Sequence, residues 1–230
     1  MHPTRKIAVM TGVVFIIATV AVLLAGALVP DPTGANYLAS LSANANRVAA
    51  GALLYLIGHF ASAGIAVVMY PVLKKWNAGL ALGSVVFRTI ETVFYMVGLV
   101  ALMSLLTLGQ QFTTAAAADR TSLQAIGNLL VSIRDYAALL AVFAFCLGAF
   151  MYYYLLFQSR LIPRWLSGFG IVAIILMMVA CVLALFSGNR ITSYIPLAAP
   201  IFVQEIVLGG WLIVKGFNPA AITTLSVKTE

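Results

Sequence analysis

Residues 165–186 read WLSGFGIVAIILMMVACVLALF, an apolar stretch that contains no charged residue. A helix needs about 20 such residues to cross about 30 Å of hydrocarbon. Similar stretches recur along the chain, and the predicted spans are about 7–29, 49–73, 78–106, 133–157, 165–186 and 195–214. Little else remains in a chain of 230 residues, of which 63% are hydrophobic and 8% charged. We therefore predict an all-α polytopic membrane bundle of six helices over residues 1–218, followed by a short cytoplasmic tail over 219–230.

Basic residues outside the predicted spans lie mostly on one side of a six-span path. That side has Arg5, Lys6, Lys74, Lys75, Arg160, Arg164, Lys215 and Lys228, whereas the other has Arg47, Arg120 and Arg190 together with Asp31 and Asp119. Loops rich in lysine and arginine stay in the cytoplasm, so the asymmetry predicts that both termini are cytoplasmic. Topology thus explains the net charge of +7, and no loop concentrates enough positive charge to predict a nucleic-acid partner.

The first predicted span resembles a secretory signal, because basic residues precede it and Ala25-Gly26-Ala27 near its end resembles a cleavage site. Its apolar run over about 7–29 is longer than the roughly 7–15 residues of a signal core. An uncleaved first span is therefore the favoured interpretation.

The outer loops contain two further patterns. Leu38, Leu41 and Val48 recur at helical spacing among polar residues, which favours a short amphipathic helix on the outer membrane interface over an ordinary loop. Residues 109–120 are predicted to form a polar loop, and Thr121-Ser-Leu-Gln124 is typical of a capping box that opens a helix. A helix from Thr121 to the end of span four is longer than the bilayer, so span four is predicted to project outward or to kink.

Four ionisable residues interrupt the apolar spans: His59, Arg88, Glu91 and Glu205. A charge in hydrocarbon costs roughly 2.5–3.5 kcal/mol, so such residues usually pair, line water or take part in function. Counting about 1.5 Å per residue from the cytoplasmic ends puts Arg88 level with Glu205, and Glu91 level with His59. Arg88 and Glu91 are three residues apart and share a helix face. We predict a connected cluster in the order Glu205–Arg88–Glu91–His59.

Two interpretations of this cluster remain open. It is either a structural network that fixes the register of the helices, or a site where one arginine cannot neutralise two glutamates and a ligand or proton binds. Arg134 and Asp135 lie near the outer boundary of span four and are interpreted as interface residues, although the sequence leaves open whether they join the cluster. A single histidine within the spans supports neither bis-histidine haem ligation nor a three-histidine zinc site, so no metal and no cofactor is predicted.

Other residues in the spans have structural interpretations. Cys146 and Cys181 form no disulfide or metal motif and are predicted to be buried thiols. The run Tyr152–Tyr154 fits the aromatic belt at the membrane interface. Gly79-x-x-x-Gly83 in span three and Gly209-Gly210 in span six predict that these two spans pack together, unless the glycines only reflect their frequency in membrane helices. Pro196 and Pro200 are expected to loosen the outer half of span six and to open a pocket beside Glu205.

Three motifs carry a family resemblance. They are Gly83-Ser-Val-Val-Phe-Arg88-Thr-Ile-Glu91, Arg160-Leu-Ile-Pro163-Arg164-Trp165-Leu-Ser-Gly168, and Gln204-Glu205 through Trp211-Leu-Ile-Val-Lys215-Gly216-Phe217-Asn218. Over about residues 5–218 the chain resembles a bacterial family of small membrane proteins known as domain-of-unknown-function family 4386. The resemblance implies a six-span protein of the bacterial cytoplasmic (inner) membrane, with Arg88, Glu91 and Glu205 at the family's polar positions. It implies no activity.

For function, the leading hypothesis is a ligand-binding or transport-related membrane protein. Arg88 would anchor a small polar or anionic ligand while Glu91 and Glu205 titrate. At 24.5 kDa the chain is small for a secondary transporter, so a homodimer is expected if it transports. The alternatives are an intramembrane lipid-modifying enzyme, with Glu91 or Glu205 as general acid/base and His59 assisting, and a structural or regulatory subunit without a substrate. Membrane lipids are the partners that composition itself predicts.

Overall fold

The computed structural model describes residues 3–32, 34 and 36–226 of the chain. These residues form α-helices α1 (Pro3–Leu28), α2 (Tyr37–Ala43), α3 (Ala45–Leu73), α4 (Ala78–Thr114), α5 (Ala117–Ser159), α6 (Arg164–Ser187), α7 (Ile195–Val214) and α8 (Pro219–Ser226). A 3-10 turn, Ile191–Tyr194, leads directly into α7.

Within the described residues, six helices are long and apolar enough to cross a membrane: α1, α3, α4, α5, α6, and α7 with its preceding turn. The prediction of an all-α, six-span bundle is therefore confirmed. The cytoplasmic location of the termini stays a prediction. We name the end of the bundle where α1 begins and α7 ends the terminal end, and the opposite end the far end.

The six long helices form a closed ring in the order α1–α3–α4–α5–α6–α7, with α7 packed back against α1. In this order α4 lies across the ring from α7, so the prediction that spans three and six pack together is wrong. The glycines instead allow close packing against other helices. A Cβ added to Gly83 would lie 2.7 Å from Met151 Sδ of α5, and one added to Gly209 would lie 3.1 Å from the Gly12 carbonyl oxygen of α1.

Helices α4 and α5 form a hairpin that is longer than a bilayer is thick. Their 37 and 43 residues correspond to about 55 and 64 Å at 1.5 Å per residue. Only Ala115 and Ala116 separate the two helices, so the polar loop expected over 109–120 and the helix start expected at Thr121 are both wrong. Alanine is the strongest helix former, and α5 therefore begins earlier, at Ala117. The length expected for this helix is confirmed, and its outward projection from the membrane stays a prediction.

Helix α2 packs against the projecting part of this hairpin. The short helix predicted around Leu38 and Leu41 is present, but both leucines are buried against α4 rather than lying on the membrane. A Cβ added to Gly109 would come 2.5 Å from the Leu38 carbonyl oxygen, so glycine there allows the two backbones to touch. Tyr37 Oη donates to Asn128 Oδ1 of α5 at 3.0 Å. The far end of the bundle therefore contains a small apolar core that is separate from the main one.

The tail predicted after Asn218 is helical over most of its length. Pro219–Ser226 form α8, and Asn218 Oδ1 accepts a hydrogen bond from the Ala220 amide at 3.1 Å at its start. Residues 227–230 of the predicted tail, including Lys228, lie outside the described residues.

Candidate functional site

Arg88 and Glu91 form an ion pair inside the ring. They lie one turn apart on α4, and Arg88 Nη1 is 2.8 Å from Glu91 Oε2. The two residues are 1% and 3% exposed. The spacing of three residues thus brings the charges together, as the sequence predicted.

Ser62 of α3 closes this pair into a network. Its hydroxyl accepts a hydrogen bond from Arg88 Nη2 at 2.6 Å and donates one to Glu91 Oε1 at 2.9 Å. Its carbonyl oxygen accepts a further bond from Arg88 Nε at 3.2 Å. The guanidinium therefore has protein partners at all three nitrogens, and Ser62 is a site residue that sequence reasoning missed.

Helix α5 provides the apolar side of the Arg88 environment. The guanidinium lies over the Phe145 ring, 4.7 Å from its centroid, which is the geometry of a cation–π contact. Gly148 is next to the same side chain, because a Cβ added there would be 3.1 Å from Arg88 Cγ. The arginine is thus enclosed by α3 on one side and α5 on another.

His59 does not join the ion pair. Its ring is stacked between Tyr55 and Tyr95, with centroid distances of 5.7 and 3.9 Å. In the part of the chain that the structure describes, its ring nitrogens form no hydrogen bond to Glu91. Its carbonyl oxygen instead accepts a hydrogen bond from Thr92 Oγ1 at 3.0 Å. The contact expected between His59 and Glu91 is taken by Ser62, one turn away on α3.

Glu205 lies across the ring from the ion pair. Its Oε2 accepts a hydrogen bond from Thr19 Oγ1 of α1 at 2.9 Å. No ion pair joins it to Arg88 among the described residues, although the two interact electrostatically at longer range. The direct contact expected from their shared depth is absent because α4 and α7 are opposite rather than adjacent in the ring.

Tyr152 and Tyr153 lie in the ring interior rather than in the interfacial belt expected from the sequence. Both are fully buried, and only Tyr154 of that run is exposed. Tyr153 Oη donates to Gln204 Oε1 of α7. Tyr152 Oη forms no hydrogen bond among the described residues. Its ring packs against that of Tyr153, with centroids 4.5 Å apart.

Arg134 and Asp135 do not reach the interior cluster. Asp135 Oδ2 lies 3.0 Å from Arg190 Nε, and Arg190 Nη1 lies 3.0 Å from Asp31 Oδ1. This bridge connects α5 to two loops of the far end. Arg134 has no ion-pair partner in the described ranges. The two residues therefore lie outside the interior cluster, a question that the sequence left open, and their place at the outer membrane boundary stays a prediction.

The chemistry of the site is a matter of charge and hydrogen bonding. The interior holds one guanidinium and two carboxyl groups, and the guanidinium is engaged by Glu91 and Ser62. No group of three or more histidine, cysteine, aspartate or glutamate side chains that could hold a metal ion occurs within the described residues. Cys146 and Cys181 are buried free thiols, as predicted.

A ring of apolar helices with an ion pair in its interior defines a multi-pass membrane protein. The family model described as Domain of unknown function (DUF4386) matches residues 10–216. The chain therefore belongs to this family, as its motifs indicated. No curated protein and no solved structure matches it.

Proposed function

We propose that this is a ligand-binding, transport-related membrane protein in which Glu205 takes up and releases a proton. One observation carries the proposal: the interior guanidinium is engaged by Glu91 and Ser62, whereas the second buried carboxyl group has a threonine hydroxyl as its partner. A buried carboxylate without a cation is strongly disfavoured in a low-dielectric interior. Uptake of one proton removes that cost.

This assignment changes the role expected for Arg88. The charge of the guanidinium is already engaged within the protein, because Arg88 donates to Ser62 and pairs with Glu91. Arg88 therefore acts as the counter-ion of Glu91, and the exchangeable group is Glu205. The unpartnered hydroxyl of Tyr152 offers a polar position to a small ligand that accompanies the proton.

A structural role is the second candidate, and the closed network of Arg88, Glu91 and Ser62 favours it. A satisfied polar network fixes the register of α3 against α4 without any ligand. An intramembrane enzyme has less support, because the His59 ring is stacked between two tyrosines and forms no hydrogen bond to either glutamate in the described structure.

Infrared difference spectroscopy on the protein in liposomes tests the proposal without a known substrate. As the pH is lowered, the wild-type protein should gain the band of a protonated carboxyl group buried away from water, distinct from the bands of exposed aspartates, and Glu205→Gln should lack this band. Asp135→Asn is the matched control, because it makes the same chemical change at the far end and should keep the band. A band that persists in Glu205→Gln, or a protein without any such band, contradicts the proposal and favours a structural role.

Charge movement after a pH jump provides the transport arm of the test. Protein on a solid-supported membrane should give a transient current that Glu205→Gln abolishes, because the proton crosses part of the membrane field. Asp135→Asn should keep the current. If Glu205 titrates but no current is measured, the proton-binding part of the proposal stands and the transport part is rejected.

A further inference from the structure

A cavity of about 670 Å³ lies at the terminal end of the ring, away from the ion pair. It is formed where the turn between α5 and α6 meets the turn between α7 and α8. Its walls include Arg160, Arg164, Lys215, Trp211, Phe217 and Asn218. A volume of this size is within the range of about 300–1,000 Å³ that is typical of ligand pockets.

The two turns hold the cavity in a defined shape. Arg160 has φ 56°, a left-handed conformation that non-glycine residues rarely adopt. The next residue, Leu161, is fully buried, and its carbonyl oxygen accepts a hydrogen bond from the Asn218 amide at 2.8 Å. Asn218 Nδ2 also donates to the Arg160 carbonyl oxygen at 3.4 Å. The two turns are therefore tied to each other by backbone contacts.

The charge of the cavity is uncompensated. Arg160, Arg164 and Lys215 are exposed, and the lining contains no carboxylate. None of the three forms an ion pair within residues 3–32, 34 and 36–226. Arg164 is held in position by Phe157, because its guanidinium lies 5.2 Å from the centroid of that ring. Three cations thus surround one cavity, and no carboxylate of the described residues lines it.

The cavity lies at the level where the apolar spans end. Arg164 is the first residue of α6, and Lys215 follows the last residue of α7. Trp165 and Trp211 meet edge to face there, with ring centroids 6.4 Å apart. Tryptophan is enriched at the depth of lipid headgroups, so this cavity is open to the layer in which phosphates lie.

We propose that this cavity binds a phosphate group, presented either by an anionic phospholipid or by a soluble phosphate ester. Guanidinium groups match the oxygens of a phosphate with two parallel hydrogen bonds, and a lysine adds a point charge. The positive end of α6 contributes as well, because anions are stabilised at helix N-termini. These basic residues therefore have a binding role beyond the topological one that the sequence assigned to them.

Native mass spectrometry of the full chain in detergent tests the site. We expect the wild-type protein to retain added phosphatidylglycerol in preference to phosphatidylcholine. Arg160→Asn with Arg164→Gln should weaken this binding about tenfold or more, since two charge-assisted contacts are lost. Asparagine is chosen at position 160 because it tolerates the left-handed conformation. Lys74→Gln with Lys75→Gln is the matched control, because it removes equal charge at the same end outside the cavity lining.

A parallel titration with glycerol 3-phosphate, followed by the thermal unfolding of the protein, identifies the source of the phosphate. Stabilisation that depends on Arg160 and Arg164 supports a soluble ester, and retention of phosphatidylglycerol alone supports a lipid. The proposal is overturned if neither compound binds, or if the control loses binding as much as the cavity variant. If the double variant fails to fold, the same binding measurements are made on Lys215→Gln, because Lys215 is exposed and lines the same cavity. The outcome is independent of the proton site, because Glu205 is not part of this cavity.

Discussion

Ser62 is the side chain that allows an arginine to lie 1% exposed at the centre of a membrane protein. Its hydroxyl accepts from Arg88 and donates to Glu91, and its carbonyl oxygen accepts from Arg88 as well. A buried ion pair is tolerated only when further hydrogen bonds satisfy its remaining polar atoms. Ser62 therefore supplies hydrogen bonds to both members of the ion pair, in addition to the attraction between the two charges.

The ion pair makes a quantitative prediction about stability. Arg88→Leu leaves the carboxylate of Glu91 buried without a counter-ion and should cost about 3–5 kcal/mol of unfolding free energy. The double variant Arg88→Leu with Glu91→Leu should cost less than Arg88→Leu alone, because no uncompensated charge remains. Steric trapping in detergent measures the unfolding free energy of both variants. The single variant Glu91→Leu completes the double-mutant cycle. A double variant that is as unstable as the sum of the single ones would mean that the two side chains act independently.

Charged site residues could be predicted from the sequence, and the neutral ones could not. Arg88, Glu91 and Glu205 stand out because each interrupts an apolar span. Hydroxyls do not stand out, since many bond to their own helix, as Thr11 Oγ1 does to the Ile7 carbonyl oxygen at 2.8 Å. Depth is the one signal that could have pointed to Ser62, because it lies about 16 Å from the end of α3 at 1.5 Å per residue and is nearly level with Arg88.

At the scale of helices, the long hairpin of α4 and α5 was only partly predictable. Apolar residues marked its membrane part, whereas the polar and alanine-rich residues beyond it suggested a loop. These residues are helical because alanine favours the helix and because α2 covers the projecting part with Leu38 and Leu41. Such coverage depends on residues far apart in the chain, which local sequence patterns do not reveal.

The packing of α2 can be tested at Gly109. An alanine there would bring its Cβ to 2.5 Å from the Leu38 carbonyl oxygen, so α2 must move away. We expect a loss of about 1–3 kcal/mol, as is typical of overpacking, together with faster hydrogen exchange of the α2 amides. Gly210→Ala is the control, because a Cβ there meets nothing within 4 Å. It should stabilise the protein by about 0.5–1 kcal/mol through helix propensity alone and leave the exchange of the α2 amides unchanged. Equal effects of the two substitutions would mean that helix propensity, not the contact with α2, determines the result.

For the whole molecule, the order of helices around the ring is the property that sequence reasoning could not give. Residue counting estimates depth along a helix but contains no information about which helix is its neighbour. The spans with Arg88 and Glu205 were expected to touch because their depths match, and they lie across the ring instead. The separation matters for the proposed function, since no ion pair joins Glu205 to Arg88 among the described residues and proton uptake by Glu205 is proposed on that basis.

The orientation of the ring in the membrane is the remaining prediction for the whole molecule. Among the described residues, seven basic residues outside the predicted spans lie at the terminal end, against three at the far end, and lysine and arginine are retained on the cytoplasmic side. Alkaline phosphatase, which is active only outside the cytoplasm, should therefore be active when fused after Asn36, which follows one span, and inactive when fused after Lys75, which follows two. A fluorescent protein that matures only in the cytoplasm should be bright at the C-terminus. The opposite pattern would put the phosphate-binding cavity on the outer face, where it would meet the lipids of the other leaflet.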